Sequence, residues 1–134
     1  MTGWPETRLT DLLGTKHPII QAPMAGASTP EMAAAAANAG ALGSLGVALD
    51  APQRIAEEIR GAKALTNGAL NLNFFCHQPP EMDPVKIEGA KAALTPFYAE
   101  YDLGTPDDPI ATPPFDEDRL DIVLAASPRV VSFH

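Results

Sequence analysis

The chain has 134 residues, 46% of them apolar and 6% aromatic, and a formal net charge of −8. This is globular composition: no apolar run approaches the ~18 residues of a membrane helix, the N-terminus carries no basic stretch followed by an apolar one that would mark a secretory signal, and the negative charge argues against nucleic acid, which needs a basic footprint. One cysteine, Cys76, permits neither a disulfide framework nor a four-cysteine zinc site within the chain, so a reducing, cytoplasmic setting is expected.

In chain order, Pro18-Ile-Ile-Gln-Ala-Pro23 is a short apolar run with proline at each limit, which predicts a buried strand. A helix follows. Ser28 with Glu31 has the form of a capping box, and Thr29-Pro30 offers the alternative of a cap followed by proline at the first helical position. The alanine-rich stretch from Met32 to Ala39 carries the helix to Gly40, a C-terminal glycine. Ala41 to Leu45 predicts a second strand, rich in small residues. Asp50-Ala51-Pro52 opens a second helix, with Ile55, Ile59 and Ala62 at helical spacing.

Leu70 to Phe75 predicts a third strand, with Leu70, Leu72 and Phe74 on one face and Asn71, Asn73 and Phe75 on the other. Asp83 and Pro84 start a third helix, which runs to about Tyr101 with Ile87, Leu94, Phe97 and Tyr101 roughly on one side. Pro96 is expected to kink it or end it early. An acidic, proline-rich loop spans about residues 102–115. Between Ala99 and Asp121 eight acids face one base, Arg119, which reads as a solvated excursion. A fourth helix, Asp116 to Ala126, has an acidic first turn that suits its dipole. Arg129 to His134 is a fourth strand.

Strict alternation of strands and helices predicts an α/β fold with parallel strands. The final strand is apolar, has no polar tail, and is expected to be buried on both faces. Four β/α units are half of the eight that close a barrel of ~250 residues. The expectation is therefore a truncated N-terminal half of a TIM (β/α)8 barrel, with residues 1–134 forming part of a single domain. A complete four-stranded open sheet is the alternative.

Parallel α/β folds place their sites at the carboxyl ends of strands. Those ends are Gln21 to Gly26, Gly43 to Gly46, Asn73 to His77 and Ser132 to His134. The tight turn Pro23 to Gly26 offers backbone against which a flat ring can lie, and Asn73 offers an amide that donates and accepts. His134 is the titratable group that the pattern itself places at a strand end. Together they read as a pocket for a planar, polar cofactor. Gly40, Gly43 and Gly46 do not form the dinucleotide fingerprint, and no phosphate-binding P-loop is present. Asn73 reads equally as a buried amide bonded to backbone, and His77 as a loop residue. Cys76 has no base partner in the sequence and reads as a small core or near-site residue. His17 lies at the opposite, N-terminal end of its strand, and three scattered histidines make no metal site.

The runs Pro18-Ile-Ile-Gln-Ala-Pro-Met-Ala-Gly26, Ser28-Thr-Pro-Glu31 and Asn38-Ala-Gly-Ala-Leu-Gly-Ser-Leu-Gly46 resemble the start of the nitronate monooxygenases, formerly called 2-nitropropane dioxygenases. Leu72-Asn-Phe-Phe-Cys-His-Gln-Pro-Pro80 and Val130-Val-Ser-Phe-His134 resemble the class I branch. The first run is shared with enoyl reductases of the same superfamily. The resemblance implies a flavoprotein with non-covalent FMN. Ala22, Pro23, Met24, Ala25, Gly26, Ser44 and Asn73 would bind the cofactor, and His134 would sit in the substrate pocket. The implied reaction takes an alkyl nitronate, such as propionate 3-nitronate, and O₂ to a carbonyl compound and nitrite. The partners are thus a small-molecule nitronate and O₂, with no nucleic acid or membrane.

The resemblance also places a catalytic histidine, in a glycine-flanked segment, and the phosphate-binding glycines beyond residue 134, so this chain has no catalytic residue of its own and is expected to be inactive alone. The alternatives are an FMN-dependent enoyl reductase using NAD(P)H and a small non-catalytic α/β binding module.

Overall fold

A computed structural model of the chain describes residues 3–78, 80–110, 112 and 114–134. Pro79 of the third-strand motif, and Ala111 and Pro113 of the acidic loop, lie outside the described residues. The fold is mixed α/β. Three parallel strands, β1 (Gly43–Gly46), β2 (Leu70–Phe74) and β3 (Val130–Phe133), lie in the order β1-β2-β3. The register pairs Leu45 with Leu72 and Leu72 with Val131, and pairs Ser44 with Asn71 and Asn73 with Ser132. Because successive side chains point to opposite faces, one face of the sheet is apolar and the other polar.

The apolar face packs on helices α2 (Pro30–Asn38), α3 (Pro52–Leu65) and α5 (Glu117–Ala126). Its core joins Leu45, Leu72 and Phe74 to Ala33, Ile55 and Val123. Phe74 is fully buried, and Phe115 meets its ring edge-on at 4.9 Å. Burial of each large side chain contributes roughly 1.5–3 kcal/mol. The small residues of the second strand have a steric reason. A Cβ on Gly43 would run into the carbonyl oxygen of Ala33, so glycine lets α2 lie close to β1.

Local chemistry sets the helix ends. Thr29 Oγ1 accepts from the Met32 amide at 3.2 Å and Pro30 opens α2, which is the cap-and-proline alternative. Ser28 instead accepts from the Met24 amide at 2.8 Å. The Glu31 carboxyl, in the first turn of α2, is held below the ordinary glutamate range by its own backbone amide and by the Thr29 hydroxyl. Asp116 caps α5, accepting from the Arg119 amide at 3.0 Å and pairing with its guanidinium at 2.7 Å. Arg119 is 4% exposed and also donates to the Asp50 carbonyl at 3.0 Å, which ties the start of α5 to the loop after β1. The C-terminus of α5 receives Lys63 Nζ on the Ala126 carbonyl, and Ser127 closes it in the left-handed region at φ 46°.

The first expected strand requires correction. Residues 18–23 form no strand; one parallel bridge, Ile20 to Leu42, takes its place. Nor is the segment buried, since Ile19 and Ile20 are each 51% exposed. Pro18 and Pro23 have no amide hydrogen to donate and leave only a short stretch able to pair. An additional helix, α1 (Arg8–Leu13), precedes it; its 6 residues are too few for a helical period to show in the sequence. Arg129 Nη2 donates to the Leu12 carbonyl at 2.8 Å, at the end of α1.

The third predicted helix, α4 (Pro84–Glu100), has the expected limits, with its C-cap at Tyr101, but not the expected burial. Pro96 does not end it early, since it continues to Glu100. Thr95 Oγ1 bonds back to the Lys91 carbonyl at 2.9 Å, and water can satisfy the carbonyl that Pro96 leaves without a donor. Its expected apolar side is not buried: no residue of α4 is, and Phe97 and Tyr101 are largely exposed.

By its contacts the chain divides into two units, Met1–His77 with Pro113–His134, and Gln78–Thr112. The first holds the sheet and the core. The second holds α4, capped by Asp83 at 2.9 Å from the Val85 amide. In it Lys91 pairs with Asp108 at 2.9 Å and lies 3.7 Å from Glu88. The hydrogen bond it donates to Asp108 holds the Lys91 ammonium above the ordinary lysine value. Among the described residues no helix is long and apolar enough to cross a membrane.

Three substitutions test the ends of α5. Asp116→Ala removes both the cap and the carboxylate facing buried Arg119, and should cost about 1–3 kcal/mol in chemical denaturation. Asp116→Asn keeps a capping oxygen and should cost less; equal losses would show that the ion pair alone matters. Ser127→Gly relieves a left-handed residue and should raise stability by about 0.5–1 kcal/mol in the same assay.

Candidate functional site

The carboxyl ends of β1, β2 and β3 lie side by side. The pairing of β2 with β3 continues one step past both strands: the His134 amide donates to the Phe74 carbonyl at 3.0 Å, and the Cys76 amide to the His134 carbonyl at 3.1 Å. Alternation therefore puts Phe75 and His134 on the polar face, above Asn73 and Ser132 by two residues, or ~6.6 Å. The Phe75 ring lies 6.1 Å from that of His134 and 6.2 Å from that of His77. His134 is exposed. Cys76 is exposed as well, which removes the core alternative and leaves the near-site one.

Asn73 is half-buried at the end of β2. Its Nδ2 donates to Ser132 Oγ at 2.9 Å and reaches the Ser132 carbonyl at 3.3 Å. One layer deeper, Asn71 Nδ2 donates to Ser44 Oγ at 3.2 Å. Ser44 is 0% and Asn71 3% exposed, and Asn71 Oδ1 has no hydrogen-bond partner among the described residues. The face thus carries two polar layers, with a more open aromatic and imidazole rim above them.

The segment after the Ile20 bridge folds over β1. The Met24 carbonyl accepts from the amides of Ala27 at 3.0 Å and Ser28 at 2.8 Å. Gly26 takes φ 76° with open space where a side chain would be. A Cβ on Gly46 would lie 2.8 Å from both Ala25 N and the Met24 carbonyl carbon, so the Met24–Ala25 peptide rests directly on Gly46. Gln21 ties this segment to the sheet. Its Oε1 accepts from the Ser44 amide at 2.7 Å, and its Nε2 donates to the Ala22 carbonyl at 2.6 Å.

The predicted site residues fall into three groups. Ala22, Pro23, Met24, Ala25 and Gly26 form the turn lying on β1, with Ala22, Met24, Ala25 and Gly26 exposed and Pro23 half-buried. Ser44 is beneath, fully buried, its hydroxyl taken by Asn71. Asn73 and His134 lie on β2 and just beyond β3, one and two strand spacings from β1, or ~5 and ~10 Å. Gln21, Asn71 and Ser132 also shape this face, though the sequence reading did not select them. Period-two spacing from Asn73 marks Asn71, whereas nothing local marks Ser132 as the acceptor for Asn73.

A profile of the nitronate monooxygenase family matches residues 6–134. The nitronate monooxygenase of Pseudomonas aeruginosa is 38% identical over 138 residues, covering 95% of this chain and 37% of that protein. That of Paraburkholderia phytofirmans is 41% identical over 137 residues, covering 94% and 35%. Among solved structures, a nitroalkane oxidase from Streptomyces ansochromogenes superposes with a TM-score of 0.77 at 34% identity, over 94% of this chain and 35% of its own. FabK from Thermotoga maritima superposes at 0.62 and 25% identity, over 97% and 30%. The chain spans little more than a third of the length of the relatives it matches. With the profile matched from Glu6 to the last residue, the chain belongs to the nitronate monooxygenase family.

Proposed function

We propose that the chain supplies the first β/α units of a TIM barrel that binds FMN and oxidises alkyl nitronates with O₂ to a carbonyl compound and nitrite, in the cytoplasm. The observation that carries this reading is the close approach of the Met24–Ala25 peptide to Gly46, whose register partner on β2 is Asn73. A flat ring needs a wall without side chains and an edge donor or acceptor, and these residues fit both needs. Family membership and the likeness to a nitroalkane oxidase support the reaction class.

In this reading the Ala22–Gly26 backbone is the wall for the flavin ring. Asn73, oriented by Ser132, hydrogen-bonds the ring edge. Ser44 contributes from beneath, through its bonds to Gln21 and Asn71. When bound, FMN supplies the electron transfer between nitronate and O₂. His134 lies at the rim, where its imidazole can donate a hydrogen bond to the nitro oxygens and stabilise charge there. Phe75 lies near that ring. The glycine-flanked histidine that the family resemblance makes the base, and the phosphate-binding glycines, are not among these residues. The likeness to FabK favours a second reading, an enoyl reductase that draws electrons from NAD(P)H.

The 134-residue chain alone should purify without stoichiometric flavin and form no nitrite from propionate 3-nitronate; a yellow, active preparation would overturn the reading. Joined to the remaining two-thirds of the Pseudomonas aeruginosa protein, it should bind FMN and consume O₂ with nitronate. Rapid flavin reduction by NADH or NADPH in that joined protein would favour the reductase instead. Asn73→Ala in the same protein should weaken FMN binding roughly tenfold, the loss of about one hydrogen bond of ~1–1.5 kcal/mol, read by flavin fluorescence. Gly46→Ala should lift the turn and cost about 1–3 kcal/mol by overpacking, read by thermal melting and by loss of flavin.

A further inference from the structure

The main-chain ladder between residues 19–21 and β1 is interrupted in a specific way. Leu42 N donates to the Ile19 carbonyl at 2.9 Å, and Gln21 N donates to the Leu42 carbonyl at 2.9 Å. In a regular parallel ladder the next bond would run from Ser44 N to the main-chain carbonyl of Gln21. Here Ser44 N donates instead to the side-chain Oε1 of Gln21, at 2.7 Å. The carboxamide takes the place of one peptide group. The other end of the same amide donates to the Ala22 carbonyl at 2.6 Å and approaches Ser28 Oγ at 3.4 Å, the hydroxyl that also accepts from Met24 N at 2.8 Å.

We propose that Gln21 is a positioning residue: by standing in for the backbone at Ser44 it releases the chain from the sheet at Ala22 and sets the turn that lies on Gly46 as the wall for the cofactor ring. The inference rests on the FMN reading for its consequence, though the strand-ending role does not. The role needs a group of this length that accepts at one end and donates at the other. Glutamate has the length, but its ionised carboxylate would set an oxygen against the Ala22 carbonyl where the amide now donates, and that repulsion moves the side chain off Ser44 N as well; asparagine has both groups but falls one methylene short. Both substitutions should therefore fail, for different reasons.

The test has two arms. In the 134-residue chain, amide hydrogen exchange is measured for the unsubstituted protein, Gln21→Glu and Gln21→Asn. The Ser44 amide should be protected in the first and exchange at least tenfold faster in both variants, with Leu72 and Phe74 unchanged. An unprotected Ser44 in the unsubstituted chain overturns the proposal. So does a parallel loss at Leu72 and Phe74, which would make Gln21 a general support of the sheet. In the second arm, the protein joined to the Pseudomonas aeruginosa remainder is titrated with FMN. Both variants should raise the FMN dissociation constant at least tenfold and move the bound flavin spectrum toward that of free FMN. Faster Ser44 exchange with unchanged FMN affinity and spectrum overturns the role in placing the cofactor. If the unsubstituted joined protein binds no FMN, the proposed function fails, while the exchange arm still decides whether Gln21 ends the strand.

Discussion

The alternation along β2 is the constraint on which the rest depends. Leu70, Leu72 and Phe74 turn toward the helices, and Asn71 and Asn73 turn away. A slip of one residue in register would put two amides into the core and three large apolar groups on the polar face. The cost of burying unpaired amides, roughly 1–3 kcal/mol for each unsatisfied group, makes the observed register the stable one. Its neighbours follow it. Leu45 and Val131 extend the apolar face, and Ser44 and Ser132 meet the two asparagines. The polar layers are thus a consequence of building the core, and the candidate site inherits its position from them.

What was legible in the sequence was what short-range chemistry decides. The three strands, the caps at Thr29 and Asp83, the acidic first turn of α5, and the prolines opening α2, α3 and α4 each depend on a few adjacent residues. The errors lie where burial or long-range pairing decides. Pro18 to Pro23 has strand composition, but whether it pairs depends on what the neighbouring backbone accepts. The apolar positions of α4 recur at helical spacing, yet periodicity says nothing of whether a partner surface is there. At the site, the pattern put Asn73 and His134 at strand ends, and the register of β2 with β3 puts them on one face. That Ser44 is fully buried under Asn71 is a matter of packing between residues 27 positions apart.

The excursion from Gln78 to Thr112 shows how such a sheet accepts an insertion. It leaves just beyond the end of β2, and the Phe115 amide returns to the Phe75 carbonyl at 3.1 Å within the first unit. The sheet therefore closes behind it, and α5 starts from a fixed point. Inside the excursion order comes from local pairs, Asp83 on the start of α4 and Lys91 with Asp108 and Glu88. Exposed ion pairs of this kind contribute little to stability, because water screens them. The segment buries little apolar area, so its stability is expected to lie at the low end of the molecule. Its acidity explains much of the net charge of −8.

Two independent devices detach the chain from β1 within three residues. Pro23 cannot donate to a ladder, and the Gln21 side chain has already taken the donor that a continuing strand would need. Either alone would weaken the pairing; together they define where it stops. Beyond that point the Met24 carbonyl gathers the amides of Ala27 and Ser28, and the Ser28 hydroxyl takes the amide of Met24. The turn thereby satisfies much of its own backbone without help from the sheet. It can then lie on Gly46 through peptide contact alone, which is why a glycine is required there and why the exposed side of the turn presents backbone and small side chains, with Met24 the one long one. An exposed stretch of backbone and mostly small side chains is the geometric result of ending a strand early, over a neighbour that has no side chain.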